Sequence, residues 1–573
     1  MTHARLAIVD LGDRNDQPMT VGSTTCVFAG ELWNKLELAR SLGDVDMTDA
    51  ETICRVFDEK GIEGLAEIEG MFAAVFLKNG IMVGARDVHG EVPLHFDGRT
   101  FATTMREAGT RCDLVSPGTW VSIDERSRTR HGTFREIPNI RSRLLGIEES
   151  SRILRRMIVD SIRERCAASD VGGCFLVSGG ADSTAVVTAW RELNPSAEAF
   201  GYVACLAGRE SKDLRTARSV AERFDIRLTE VAVEPPTAGD LSSMVRAIEM
   251  SSVPQVEIAW LCDRIAERAA ADGHRVVYSG EGADELFGSY EGFAFHGIRK
   301  HGWHAYRRRL FVDQHRKNFP RCNKVFMRRG IECRLPFLSS ELVPWLLSLE
   351  KPDVATDRDP KAVLKRAFPE MPPEVSGRKK AAFQVEAGVK TSVQGIVSNP
   401  KKYLNCEAKK LPAPGWSPSF GIVVVSQAPS AVGGRDDPFA GRPGKVLSSI
   451  FGDDWIDRCD RINLVPSFAG PGKPGKGDRW FPKMGKYCAD AIIDRLPSCA
   501  VILGKNAWAS FGFSRKDEWF KERTKFGTKF VLMPHPSGVH IILHNGGIRR
   551  EMRKTWSRLM NFHRTVNGPS MKT

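Results

Sequence analysis

Phe175-Leu-Val-Ser-Gly-Gly-Ala-Asp-Ser-Thr184 reads as a strand, a turn and a helix start within ten residues. The apolar run Cys174 to Val177 has the composition of a buried parallel strand. It breaks at Ser178-Gly179-Gly180, and Asp182 then opens a segment with Val186, Val187 and Trp190 at helical spacing. A strand that turns through glycines into a helix leaves free N–H groups and the positive end of the helix dipole facing an anion. Ser178, Ser183 and Thr184 add hydroxyl donors, and no Gly-Lys-Ser/Thr follows, so this is not the Walker pattern. Taken alone, the same residues also describe an ordinary βα turn.

A second stretch, Ser279-Gly-Glu-Gly-Ala-Asp-Glu-Leu-Phe-Gly-Ser-Tyr290, narrows the choice. It follows another apolar strand, Val276 to Tyr278, and sets Glu281, Asp284 and Glu285 among glycines. An acidic loop beside a phosphate loop is what a Mg²⁺-nucleotide site needs, because Mg²⁺ takes few protein carboxylates plus phosphate oxygens.

These residues resemble the asparagine synthetase family. Ser178 to Ser183 is similar to the pyrophosphate loop of the ATP-pyrophosphatases, and Ser279 to Tyr290 to the second signature of asparagine synthetases. Gly330-Ile-Glu-Cys-Arg-Leu-Pro-Phe-Leu338 resembles the family's Glu-Ala-Arg-Val-Pro-Phe-Leu block. Arg378-Lys-Lys-Ala-Ala-Phe383 resembles its basic segment, with Lys380 on the reactive lysine. The resemblance implies ATP held by Ser178, Gly179, Gly180, Asp182, Ser183, Thr184 and Gly280, with Asp182 and Asp284 as Mg²⁺ ligands. It also implies a reaction. A substrate carboxylate attacks the α-phosphorus to give an acyl-adenylate and pyrophosphate, and an amine or ammonia then displaces AMP. Lys380 would stabilise the charge at phosphorus, and Glu281 would take the proton from the amine. The bland alternative for Lys380 is a solvated lysine in a basic run.

At 573 residues the chain should hold several domains. No apolar run approaches the roughly 20 residues that span a bilayer, so no membrane is expected. Thirteen cysteines without Cys-x-x-Cys pairs suit free thiols in a reducing cytoplasm. The net charge of +13 is uneven. Residues 401–573 hold 29 Lys and Arg against 14 Asp and Glu, while residues 1–400 hold 54 against 56. The basic excess belongs to the C-terminal third and points to a polyanion, with a merely solvated face as the alternative.

Residues 1–140 are β-rich and resemble the glutaminase domain of asparagine synthetases, through Gly30-Glu-Leu-Trp-Asn34, Glu69-Gly-Met-Phe72 and Ala85-Arg-Asp87 among others. The family's nucleophile is a cysteine exposed by removal of Met1, where this chain has Thr2, and its oxyanion-hole Asn is here Ala29. Glutaminase activity is therefore expected to be absent, and ammonia or an amine to come from elsewhere, such as a partner. Residues 141–392 form the synthetase domain, with Phe200–Cys205, Ser211–Arg223 and Ile226–Val233 as a βαβ unit of a doubly wound sheet. Asn323-Lys324 and Ser339 depart from the family's pattern near its amino-acid substrate, which leaves the carboxylate open. Residues 393–415, rich in lysine and proline, read as a linker.

Residues 416–573 begin with the strand Gly421-Ile-Val-Val-Val425 and carry Pro438-Phe-Ala-Gly441, Arg461-Ile-Asn-Leu-Val-Pro466, Val501-Ile-Leu-Gly504 and Pro534-His-Pro-Ser-Gly538 in order. This succession resembles the uracil-DNA glycosylase superfamily, and it implies base-binding roles for Gln427, Phe439, Asn463 and His535. The acid that activates water in much of that superfamily is replaced by Gln427-Ala428, and Gln is no general base. Arg549 to Arg564 reads as a closing helix with a basic face. The expected architecture is α/β multidomain. An Ntn-hydrolase-like α/β sandwich is followed by a doubly wound parallel-sheet ATP-pyrophosphatase domain and an α/β/α glycosylase-like domain. Three functions compete: amide formation on or for a DNA base, as in phage base hypermodification; a small-molecule amide ligase; and a DNA-binding or base-excision protein with an inactive synthetase scaffold.

Overall fold

The computed structural model describes residues 1–377 except 110, 141–143, 291–297, 299–301 and 357–358. Beyond these it describes residues 400, 403–404 and 413–414, and the strands 422–426, 460–463, 499–503, 522–525 and 528–533. Lys380, Gln427, Phe439, His535 and the segment 549–564 lie outside the described residues. The chain divides into two compact units, Met1–Gly415 and Trp416–Thr573.

In the first unit, nine strands form the amidotransferase-like part: β1 Met19–Val21, β2 Thr24–Leu32, β3 Gly70–Lys78, β4 Ile81–Arg86, β5 His95–Phe96, β6 Phe101–Ala102, β7 Arg111–Leu114, β8 Thr119–Ile123 and β9 Thr129–Thr133. An antiparallel sheet in the order β1-β2-β3-β4-β8-β9 carries the helix Asp49–Gly64 on one side. Alternation makes this layering: Cys26, Phe28, Phe72, Ala74 and Phe76 pack with Ile53, Val56 and Phe57, while Met71, Ala73 and Val75 pack with Val92, Leu94 and Phe96 of the other layer. The helix opens on a capping box, in which Thr48 and Glu51 satisfy each other's N–H groups.

The synthetase part contains β10 Gly173–Leu176, β11 Ala199–Leu206, β12 Ile226–Val233, β13 Val276–Tyr278 and β14 Glu332–Arg334. They pair in parallel in the order β12-β11-β10-β13-β14, the doubly wound arrangement expected. The chain winds outward from β10 through β11 to β12, then returns to the other side of β10 as β13. The carboxyl ends of β10 and β13 therefore meet where the winding reverses, the usual crevice for ligands in such sheets.

Residues 413–414, expected to be free linker, form a short strand β15 (Ala413–Pro414) that pairs in parallel with β7. Proline is tolerated there because β15 is an edge strand. In the second unit β16 Ile422–Ser426, β17 Asp460–Asn463, β18 Cys499–Leu503, β19 Glu522–Lys525 and β20 Thr528–Met533 form a sheet in the order β17-β16-β18-β20-β19. All its pairings are parallel except the β19–β20 hairpin.

Candidate active site

The turn after β10 is built to sit close to its neighbours. Gly179 has φ +70°, and a Cβ there would lie 2.8–2.9 Å from Thr216 Cβ, Ala217 N and Asp213 O, so only glycine fits. Gly180 is the N-cap of the helix Ala181–Leu193, and the side chain of Asp182 lies in that helix's first turn. Ser178 Oγ and Ser183 Oγ are 3.0 Å apart, forming one hydroxyl pair on the loop. Thr184 is buried, and its hydroxyl donates to Gly180 O at 2.8 Å, closing the first helical turn. The acidic loop meets this turn backbone to backbone: a Cβ on Gly280 would lie 2.8 Å from Asp182 and Ser183 atoms.

Asp182 and Asp284, about a hundred residues apart, converge on one cation. Lys361 Nζ donates to Asp182 Oδ1 at 2.6 Å, to Asp182 Oδ2 at 2.5 Å and to Asp284 Oδ1 at 2.5 Å. Burial works against the charged lysine, but the two carboxylates outweigh it and hold the ammonium charged. Asp182 and Asp284 thus turn three carboxylate oxygens toward one cation, a donor set of the kind a divalent metal takes alongside phosphate oxygens. Lys361 was missed by sequence reasoning. It is a single lysine before the helix Ala362–Ala367, with no motif around it, and only the tertiary fold brings it here.

Glu281 faces a different set of partners. Its Oε1 accepts from Asn318 Nδ2 at 2.8 Å and its Oε2 from Arg321 Nη2 at 2.5 Å. Asn318 also donates to Glu285 Oε1 at 3.0 Å, and Gln255 holds Asn318 Oδ1 and Arg321 Nη1, each at 2.8 Å. Burial first, then the charges of Glu281 and Asp284, push Glu285 up to about 8. One glutamate of the loop, Glu285, thus stays protonated near neutral pH, while Glu281 is paired with the Arg321 guanidinium. Arg321 sits on the helix Asn318–Met327, which also carries the departures Asn323 and Lys324.

The neighbouring departures have structural partners. Lys324 is buried, and its ammonium donates to Glu249 beside His95 Nε2 at 3.3 Å. Ser339 Oγ accepts from Glu341 N at 3.3 Å. Arg334, from the Glu-Cys-Arg block, is fully buried. It pairs with Glu332 at 2.7 Å and reaches Glu31 of the amidotransferase-like part at 3.6 Å. On β2, Ala29 stands opposite Ala73 and presents a methyl group, with no side-chain donor for an oxyanion.

In the second unit, Asn463 is the last residue of β17 and pairs with Ser426, the last residue of β16. Of the four implied base-binding positions, Asn463 therefore lies at the carboxyl end of a parallel strand, where open α/β sheets hold ligands.

Residues 154–321 and 299–401 match the asparagine synthase family, residues 1–116 the glutamine amidotransferase domain, and residues 415–559 the uracil DNA glycosylase superfamily. The chain is 29% identical over 442 residues to an asparagine synthetase (glutamine-hydrolyzing) of Asparagus officinalis, covering 70% of this chain and 72% of that protein. An asparagine synthetase (glutamine-hydrolyzing) of Sandersonia aurantiaca is 28% identical over 422 residues, covering 68% and 79%. The solved structure of NMN synthetase from Francisella tularensis aligns over 46% of this chain and 94% of that one, at 12% identity and a TM-score of 0.23. That score is too low to carry a structural argument.

Proposed function

From a chain that joins glutamine amidotransferase, asparagine synthase and uracil-DNA glycosylase superfamily domains, we propose an ATP-dependent amide synthetase whose acceptor chemistry serves a DNA base. The observation that carries the synthetase reading is the meeting of Asp182 and Asp284 around one cation, beside the Ser178–Ser183 loop. The loop's N–H groups and hydroxyls bind ATP phosphates. A substrate carboxylate oxygen attacks the α-phosphorus and pyrophosphate departs. The amine then attacks the acyl carbon, and AMP leaves.

Mg²⁺ would be held by Asp182 and Asp284, and when bound it neutralises charge on the phosphates. Lys361, already the counter-ion of both carboxylates, supplies a further positive charge at the phosphate end. Glu281, paired with Arg321, takes the proton from the attacking amine. Lys380 is the cation this reading assigns to the phosphorus in the transition state.

Carboxylate-dependent exchange of labelled pyrophosphate into ATP tests this reading, first with aspartate and then with a wider set of amino acids. Activity should yield AMP and pyrophosphate and vanish in Asp182→Asn and Asp284→Asn. ADP and phosphate as products would overturn it. The DNA part of the reading rests on the basic C-terminal third and on the strand-end placement of Asn463. Chemistry on a base within a duplex normally requires flipping it into a pocket. Stimulation of exchange or amide formation by DNA supports this reading. Full activity on free amino acids, indifferent to DNA, returns the chain to the small-molecule ligases.

A further inference from the structure

Three elements meet at the carboxylate of Glu281. Gln255 stands near the start of the helix Val253–Ala271, and Asn318 and Arg321 lie in the first turn of the helix Asn318–Met327. Glu281 and Glu285 come from the acidic loop after β13. Asn318 and Arg321 are buried, and the Arg321 side chain is only 1% exposed, whereas the Glu281 side chain keeps 24% of its surface open. The carboxylate is therefore gripped from the protein side while part of it still faces outward, where a substrate can approach.

The hydrogen bonds among these groups run in one direction. A guanidinium has donors only, so Arg321 Nη1, 2.8 Å from Gln255, must face the amide oxygen Oε1. That leaves Gln255 Nε2 to donate to Asn318 Oδ1 at 2.8 Å. Arg321 Nη1 approaches the same oxygen at 3.4 Å. With its oxygen taken, Asn318 turns Nδ2 to the two carboxylates, donating one hydrogen to Glu281 Oε1 at 2.8 Å and the other to Glu285 Oε1 at 3.0 Å. The reversed amide would set an oxygen against both glutamates and a donor against Gln255 Nε2. Arg321 Nη2 closes the ring on Glu281 Oε2. Both oxygens of Glu281 are thus held at once, by donors whose own orientation is fixed, and this sets the plane of the carboxylate.

We infer that Asn318 and Gln255 are positioning residues for the amide-forming step. With Arg321 they make a directed chain that fixes the plane of the Glu281 carboxylate, so that an unshared pair on its open side meets the proton of the attacking amine. This rests on the ligase reading above, in which Glu281 is the base. In that step the amine nitrogen bonds to the acyl carbon, and the bond from that carbon to the AMP oxygen breaks. AMP leaves with that electron pair, and the surplus proton of the amine passes to Glu281. Neither amide takes part in the transfer. Their effect is on orientation, because a base turned away from the line of transfer loses much of its power while the substrates bind as before.

The full chain is assayed first for pyrophosphate exchange into ATP with L-aspartate and each other standard amino acid. Amide formation is then followed with ammonium chloride and the amino acid that gives the fastest exchange. Asn318→Leu keeps the size of the side chain and removes its donors, and Gln255→Met keeps the length and removes both hydrogen bonds. Each should lower kcat for amide formation by about tenfold to a hundredfold, with KM for ATP and for ammonium changed less than about threefold and exchange retained. Wild-type kcat in both variants overturns the proposal. So does an equal fall in exchange and amide formation, which would show a loss of packing rather than of orientation. Should Asn318→Leu fail to fold, Gln255→Met decides by the same split. Glu281→Gln separates the two readings. If it leaves amide formation intact while exchange proceeds, Glu281 is not the base and the positioning role falls alone. If no amino acid supports exchange in the wild type, the ligase reading falls and takes this role with it.

Discussion

Lys361 and Asp182 form a two-pronged ion pair, with Nζ 2.6 and 2.5 Å from the two carboxylate oxygens, and the same ammonium reaches Asp284. The pair lies where the phosphate loop and the acidic loop meet, so the lysine also separates two carboxylates that would otherwise repel each other.

Lys361→Met should therefore destabilise the metal-free protein by about 3 kcal/mol, the usual cost of removing one partner from a buried ion pair. Millimolar MgCl₂ should recover part of that loss in the variant and do less in the wild type. Urea unfolding with and without Mg²⁺ measures both. An unaltered midpoint in the variant would show that the three groups do not act as a unit.

Glutamine should not be hydrolysed by this protein. Ala29 offers only a methyl group where a side-chain amide would stabilise an oxyanion, and loss of one such donor costs about 10²–10³ in rate. Glutamate release from purified protein given glutamine is the readout. Release that persists in Ala29→Gly would place the oxyanion site elsewhere.

Acid should loosen the junction between the two parts of the first unit. Burial pushes His89 down to about 3 and His95 to about 2, with nearby Arg165 and Lys324 respectively adding to the effect. Both stay neutral when folded, whereas in the unfolded chain they gain a proton below about 6.5. The lowered folded pKa means stability is lost as pH falls below 6.5. Each histidine should cost about 1.4 kcal/mol at pH 5.5. His95→Gln should shrink the difference in unfolding free energy between pH 7.5 and 5.5 by that amount. An equal acid loss in the variant would contradict a neutral, buried His95.

The full chain should bind DNA through its basic C-terminal third, where Lys and Arg outnumber Asp and Glu by 29 to 14. Log affinity should fall with log salt at about −0.9 per phosphate contacted. Asn463→Ala and Phe439→Ala should weaken binding to a flipped or unpaired base by about 1–3 kcal/mol each and leave the salt slope unchanged. Brisk excision of uracil from a uracil-containing oligonucleotide would instead favour a repair enzyme. Salt-independent binding would remove the electrostatic argument.

Much of this architecture was legible in the chain itself. Short apolar runs followed by glycines located β10 and β13, and Ile226–Val233 and Val276–Tyr278 appear as strands over the residues read. Local signals sufficed because strand period, turn chemistry and helix starts are written in neighbouring residues. The same locality explains why Gly179 and Gly280 stood out.

What only the tertiary structure decided are the partnerships between distant residues. Nothing near Lys361 marks it as the counter-ion of Asp182, 179 positions away. Nothing near Glu91 marks its oxygens as buried without donors, since an exposed glutamate after Gly90 would read identically. Asn318 and Arg321 likewise look like polar residues of an ordinary helix until the fold sets them on Glu281. Sequence encodes elements through short-range geometry. Charge pairing in a dry interior depends on which elements the winding of the sheet brings together, and here that is set by the reversal between β10 and β13.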